Sequence, residues 1–241
     1  MSEIDLQSPT LFSADFYLRH NQRRLEHLAS LGLDLIGKTV LEPGAGVGDH
    51  SLFYIDRGCT VTAVEPRAEN CAVYRQKMEE TWSPFAANAS VIEASFESIE
   101  AMSGMFDIVH CYGFLYHVGD PEKAISILAR RTAGFMVLET CVSMDKGLAV
   151  NVINEPSDNP AQAFDGQGCR PTREWVMASL RRNFPFAYAA RTQPAHDEFP
   201  LDWTKSWPNR SGLTRAVFVG SRKALDNPNL LRELPDLQTL I

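Results

Sequence analysis

Three alternating glycines, Gly44, Gly46 and Gly48, stand in the segment Val40-Leu-Glu-Pro-Gly-Ala-Gly-Val-Gly-Asp49, between a short apolar run and a helix-like stretch. Closely spaced glycines open backbone torsions that other residues avoid, and they let a ligand approach the main chain without a side-chain collision. The helix that follows presents unpaired amide donors at its start. A dinucleotide fingerprint would place a glycine where Asp49 stands, and no lysine followed by Ser or Thr makes a phosphate loop. Two carboxylates frame the glycines. Glu65 closes the next apolar run and can accept hydrogen bonds from both hydroxyls of a ribose, a role common to nicotinamide and adenosyl ligands. Glu42 lies just ahead of the loop, where an acid suits an amino group or a cation better than a pyrophosphate, because like charges in a partly buried site repel.

Two histidines are candidate general bases. His117 follows an apolar run on the side of a parallel sheet where ligands collect, although a Tyr-His pair there can also simply pin its turn. His196, in Gln193-Pro-Ala-His-Asp-Glu198, lies in a long connection able to cover the same cleft. Asp197 and Glu198 extend its polar cluster, and Trp203 and Trp207 follow, fit either to sandwich a ring or to form a satellite core. No metal is expected: ligands adjacent in the chain at 196–198 converge poorly without other partners, and His20, His27, His50 and His110 show no supporting motif.

The elements that must hold these groups alternate. Ala14, Leu18, Leu25 and Leu28 recur at helical spacing from Ser13 to Leu31, with Arg19, Arg23 and Glu26 on the polar side. Strands are expected at Thr39–Leu41, Cys59–Val64, Val91–Ala94, Asp107–Cys111 and Gly134–Glu139, with helices over Asp49–Arg57, Ala68–Glu79 and Pro121–Arg131. This rhythm argues for a mostly parallel sheet covered on both faces. Residues 141–170 break it with glycines and prolines and no long periodic face, as a lid, a binding loop or a surface excursion would. Thr172 can cap a helix carrying Trp175, Val176, Leu180 and Phe184, before strands at Phe186–Ala190 and Arg215–Gly220. The leucines of Pro228–Ile241 suit a short docking helix or arm, where two copies could meet as a homodimer.

Composition sets limits. Lys+Arg number 23 against Asp+Glu 30, a net charge of -7, which opposes a broad nucleic-acid footprint. No apolar run reaches the length of a bilayer span. The start lacks the pattern of a secretory signal. A cytoplasmic chain is expected, its five scattered cysteines reduced.

The LEPGAGVG segment, the acidic strand end AVEP and the stretch FDIVHCYGFLYHVGDP resemble the class I S-adenosylmethionine-dependent methyltransferase superfamily over roughly residues 35–140. The resemblance implies an α/β, Rossmann-like seven-stranded fold, an α/β/α sandwich with sheet order 3-2-1-4-5-7-6 and the last strand antiparallel. It divides the chain into an N-terminal helical lid at 1–34, a methyltransferase domain at 35–223 with insertions at 141–171 and 192–213, and a C-terminal arm at 224–241. It also implies S-adenosylmethionine as cofactor and S-adenosylhomocysteine as product. Glu42, Gly44, Ala45 and Gly46 would lie along the methionine portion. Glu65, with Pro66 behind it, would grip the ribose, Ser95 and Phe96 would meet the adenine, and Cys111 and Tyr112 would lie near the cofactor. An Asp common before the hydrophobic adenine neighbour is missing here. Asn21 or Arg23 could meet the methionine carboxylate, and Tyr17 and Tyr112 could face the sulfonium. The Leu-Tyr-His turn at 115–117 is also similar to tRNA wobble-uridine modifying members, but the acidic charge points to a small metabolite first. The expected function is O- or N-methyl transfer, with a tRNA-modifying transferase or a noncatalytic adenosyl-ligand module as alternatives.

Overall fold

The computed structural model describes residues 10–80, 85–206 and 212–241. Through the first half α1 (Asp15–Ser30), β1 (Thr39–Pro43), α2 (Asp49–Ile55), β2 (Thr60–Glu65), α3 (Ala68–Glu80), β3 (Ala89–Glu93), β4 (Phe106–Tyr112), α4 (Pro121–Arg130) and β5 (Thr132–Cys141) succeed one another. Then come β6 (Val150–Asn154), β7 (Gln167–Pro171), α5 (Arg173–Asn183), β8 (Phe186–Ala190), β9 (Thr192–Gln193), β10 (Arg215–Ser221), β11 (Leu230–Leu231) and β12 (Thr239–Leu240).

The main sheet runs β3-β2-β1-β4-β5-β10-β8-β11. Strands β1 to β5 pair in parallel, and β10 is antiparallel to both β5 and β8. With Phe186–Ala190 as the sixth strand and Arg215–Ser221 as the seventh, this is the expected 3-2-1-4-5-7-6 order, with β11 as an added edge strand. Neighbouring residues on the central strands enter opposite cores. Leu41, Val109 and Phe218 face one layer of helices, whereas Val40, Ile108 and Val217 face the other. Burial on both faces explains why these strands read as continuous apolar runs. Helix starts are fixed locally: the Asp120 side chain accepts from Lys123 N at 3.0 Å ahead of Pro121, and Thr172 Oγ1 accepts from Trp175 N at 3.2 Å.

Three expectations change. The N-terminal helix forms, but it buries His20, Asn21, Arg24, His27 and Leu28 while Leu18 is 47% exposed. Its inner face meets a polar cleft, so apolar spacing did not mark it. Residues 141–171 contain an antiparallel hairpin, β6 on β7, with Val150 opposite Pro171 and Asn154 opposite Gln167. The polar residues in both strands dilute the alternation that would have signalled it. The C-terminal stretch is extended rather than helical, with β11 antiparallel to β8 and β12 parallel to β9. Pro235 interrupts its leucine spacing and cannot sit inside a helix without loss of a hydrogen bond.

Trp203 is buried under the Arg173 guanidinium, 3.9 Å from its ring centroid, and donates Nε1–H to Gln238 Oε1 at 2.6 Å. It anchors the 192–206 connection and does not face the cleft; Trp207 lies outside the described residues. All five cysteines are buried and free. Among the described residues, no helix is long and apolar enough to cross a membrane.

Candidate active site

A cavity of about 700 Å³ opens at the carboxyl ends of β1, β2 and β4, under α1, the 155–166 loop of the hairpin, residues 196–198 and Leu213. Of the expected cofactor residues, Tyr17, Asn21, Glu42, Gly44, Ala45, Gly46, Glu65, Pro66, Ser95, Phe96 and Tyr112 line it, as do His117 and His196. Arg23 and Cys111 do not. Arg23 pairs with Glu26 at 2.7 Å on the outer side of α1; one residue further around the helix, Arg24 enters the cleft. Cys111 is fully buried, because strand alternation turns it away from Tyr112 into the core around Leu41 and Leu138.

At one end of the cavity, Glu65 Oε2 accepts from Gly46 N at 2.9 Å, while Oε1 accepts from Arg67 N and Asn70 Nδ2, both at 3.1 Å. Burial raises its carboxyl group above the ordinary range, against the pull of these donors. The strand end thus carries a carboxylate fixed by the glycine loop itself. Phe96, past β3, packs edge-on to Phe114 with centroids 5.5 Å apart. Phe114 in turn closes against Gly44, where a Cβ would meet its Cδ2 at 2.7 Å and where φ is +65°. Gly44 is therefore required both by torsion and by space.

Glu42 is buried on the floor, receiving the Ser51 hydroxyl, which in turn receives Tyr74 O–H at 2.9 Å. Burial pushes its carboxyl up to about 8, helped by the charges of Asp49 and Glu65 and opposed by Ser51. Glu42 is largely protonated at neutral pH in the free protein.

Under α1 runs a ladder of rings. Tyr54 Oη lies 2.9 Å from His110 Nδ1, His110 Nε2 lies 3.0 Å from His50 Nδ1, and His50 Nε2 lies 3.2 Å from Asn21 Oδ1 and 3.3 Å from Arg24 Nη2. Every ring nitrogen of the pair thus has a hydrogen-bond partner. Burial pushes His110 down to about 3 and His50 also well down, so both stay neutral and hold Asn21 at the cleft.

Glu139, in the carboxyl-terminal half of β5, has no exposure at all. Arg24 Nη1 donates to its Oε2 at 2.8 Å, Arg215 Nη1 to its Oε1 at 3.0 Å, and Gly113 N to Oε2 at 3.0 Å. Two guanidiniums hold this carboxyl below its ordinary range despite burial. Arg215 continues outward, donating Nη2 to Tyr116 Oη at 3.2 Å and Nε to Glu198 Oε2 at 2.5 Å.

His117 donates Nδ1–H to Glu155 Oε2 at 2.5 Å; the same carboxylate receives Ala163 N at 2.9 Å and Arg170 Nη2 at 3.1 Å. This tie pins the hairpin loop over the cavity and leaves the Nε2 lone pair unprotonated, since an ionised carboxylate can only accept. Burial lowers His117 below the usual histidine value, with Glu155 opposing. On the far wall the His20 and His196 rings lie 4.7 Å apart, and His196 Nδ1 lies 3.1 Å from Asp197 Oδ1 and 3.3 Å from Glu198 N.

Sequence reasoning missed Arg24, Glu139, Glu155 and Arg215. Glu139 carried the one usable signal, an acid closing the buried run Phe135-Met-Val-Leu.

Residues 40–133, less than half of the chain, match the family model described as a methyltransferase domain. The fold is that of the class I S-adenosylmethionine-dependent methyltransferases. The chain is 33% identical to a ubiquinone biosynthesis O-methyltransferase of Sodalis glossinidius over 110 residues, 46% of this chain and 43% of the relative. To the Pseudomonas paraeruginosa protein of the same name it is 37% identical over 91 residues, 38% of each chain. It thus spans less than half the length of these curated relatives. In fold it is similar to the N-terminal domain of EvdMO1, solved in the presence of S-adenosylhomocysteine and D-fucose, with a TM-score of 0.63, 23% identity and coverage of 87% of this chain and 85% of that one. The magnesium protoporphyrin IX methyltransferase of Synechocystis gives 0.58 at 17% identity, over 87% of this chain and 82% of that one.

Proposed function

We propose that the chain is an S-adenosylmethionine-dependent O- or N-methyltransferase acting on a small-molecule metabolite and releasing S-adenosylhomocysteine. One observation carries this reading: a single cavity of about 700 Å³ runs from Glu65 past the glycine loop to His117, His196 and Glu198. The Gly44 cradle and the Glu65 carboxylate fit the cofactor. When bound, it supplies a methyl carbon already activated on a sulfonium. The chain's own tasks are to align, exclude water and manage a proton. Glu65 holds the ribose hydroxyls, Ser95 and Phe96 border the adenine, and Glu42 faces the methionine ammonium. Asn21 and Arg24 meet the carboxylate, and His117 Nε2 takes the proton of the substrate nucleophile.

The cavity wall beyond, with Arg19, His20, His196, Asp197, Glu198 and Arg215, is polar and of mixed sign. It suits a compact hydroxyl- or amine-bearing substrate. The relatives' names cover ubiquinone biosynthesis and a protoporphyrin, and one similar domain was solved with D-fucose. A tRNA substrate would call for a basic track into the cleft, which a chain of net charge -7 does not favour. The chain is read as cytoplasmic, and a homodimer would use the exposed Leu237, Leu240 and Ile241 of the arm.

The direct test is calorimetric titration of the full chain with S-adenosylhomocysteine, then methyl transfer to hydroxylated and amine metabolites and to tRNA. Saturable one-to-one binding with transfer to a small molecule is expected; absence of binding by folded, ligand-free protein removes the reading. Glu65→Ala should weaken that binding by about 1–3 kcal/mol, roughly 5- to 150-fold, because two ribose hydroxyls lose their shared acceptor. An unchanged Kd in the folded variant would reassign Glu65 to loop support alone.

Proton linkage gives a second check. Glu42 begins near 8 in the free protein, and an ammonium beside it favours the carboxylate, so binding at pH 7 should release a proton. Affinity should then rise with pH up to about 8 and level off above, where Glu42 is already ionised in the free protein. Titrations at pH 7 in buffers of different ionisation enthalpy measure the release, and Glu42→Gln should abolish it. Equal apparent enthalpies in all buffers for the unsubstituted protein would place the ligand ammonium elsewhere.

A further inference from the structure

We propose that His20, His196 and Glu198 form a site for one divalent transition-metal ion on the cavity wall. Their candidate ligand atoms all lie within 4.8 Å of one another, and all three residues line the cavity. His20 Nε2, on a residue only 9% exposed, has no hydrogen-bond partner and lies 3.7 Å from Glu198 Oε2. Ligands each about 2.0–2.2 Å from one ion at tetrahedral angles lie about 3.3–3.6 Å apart, so that pair nearly fits as it stands and the others need to close by at most about 1.5 Å, within the reach of side-chain rotation. His196 and Glu198, too close in sequence to converge on an ion by themselves, are completed by a residue from α1.

The surroundings match those of built metal sites, in which the ligands are themselves held from behind. Arg215 Nε holds Glu198 Oε2 at 2.5 Å, and Asp197 Oδ1, 3.1 Å from His196 Nδ1, is placed to accept a proton from that nitrogen, which leaves the Nε2 lone pair for the ion. Of the two guanidinium charges, of Arg24 and Arg215, the buried Glu139 that both share offsets one. Glu42, His50 and His110 also lie close together, but all four ring nitrogens there are already engaged with one another, with Tyr54 and with Asn21. Two imidazoles and one carboxylate suit Zn²⁺, Co²⁺, Mn²⁺ or Fe²⁺ better than Mg²⁺ or Ca²⁺, and three protein ligands leave a position open to the cavity. That position would hold a substrate oxygen. The inference rests on the methyl-transfer reading for this consequence only; the site itself does not.

Co²⁺ titrated into the full chain, alone and with S-adenosylhomocysteine bound, tests it through visible d–d absorbance, with Zn²⁺ competition by calorimetry. One equivalent should bind with bands of a low-symmetry, nitrogen-containing site, and His20→Ala and His196→Asn should each weaken binding at least tenfold. His117→Gln should leave it unchanged. Glu198→Gln serves as a third variant should His20→Ala not fold, with S-adenosylhomocysteine binding as the check of folding. Failure to bind Co²⁺ by protein that still binds S-adenosylhomocysteine overturns the metal site and leaves methyl transfer standing. Co²⁺ affinity indifferent to all three folded variants overturns it equally. Metal binding without nucleoside binding would instead overturn the methyl-transfer reading.

Discussion

Glu139→Ala is expected to destabilise the fold by about 3–5 kcal/mol, the range for breaking a buried ion pair from one side. Both Arg24 and Arg215 would lose their shared carboxylate, and Gly113 N would lose an acceptor. Neither guanidinium can shed its charge, so each must remain buried unpaired or swing out and drag α1 or the start of β10 with it. For a chain of this size the cost corresponds to a fall in Tm of about 6–20 °C. Thermal denaturation compared with Glu139→Gln, which keeps the shape but not the charge, measures it. A loss under about 1 kcal/mol would mean that water or another acid takes over the arginines, and that Glu139 does not organise the cleft.

His117→Gln is expected to lower kcat by about 10²- to 10⁴-fold for an oxygen nucleophile, the usual worth of a positioned base. S-adenosylhomocysteine affinity should change little. Because burial lowers His117 below the usual histidine value, the unsubstituted enzyme should keep its rate through the neutral range and lose it only as pH falls past that depressed value. The sign follows from the role, since the neutral ring is the active form. Groups around the ring act in both senses: Glu155 raises its pKa, whereas Arg170 and Arg215 lower it. Glu155→Gln should therefore push the acidic limb lower still and reduce kcat, as the ring loses the partner that sets its tautomer. A pH–rate profile and the split between kcat and KM report on this directly. If His117→Gln instead loosened S-adenosylhomocysteine and spared kcat, His117 would be a pin for the 155–166 loop and the base would have to be sought elsewhere.

Much of the scaffold was legible because its signals are local. Central strands buried on both faces must be apolar throughout, so Val40-Leu41 and Ile108-Val109 announce themselves within a few residues. Gly44 and Gly48 are tied to torsions that side chains avoid, and Asp120 and Thr172 to helix starts. Glu65 follows from its place at a strand end beside that loop. The hairpin over residues 150–171 and the extended arm escaped because polar strands and proline-broken leucines leave no period to read.

The sequence by itself therefore determined the central parallel strands, the glycine loop and the carboxylate of Glu65 at its strand end, since each depends on residues within one strand-turn-helix unit. Tertiary structure decided which face of α1 looks inward, that Arg24 and not Arg23 enters the cleft, and that Glu139 joins it to Arg215. It also decided that His20 meets His196 and Glu198 across the cavity. The physical reason is that burial of charged and polar groups is tolerated only where partners converge, and here the partners come from elements far apart in the chain, whose mutual approach no local spacing encodes.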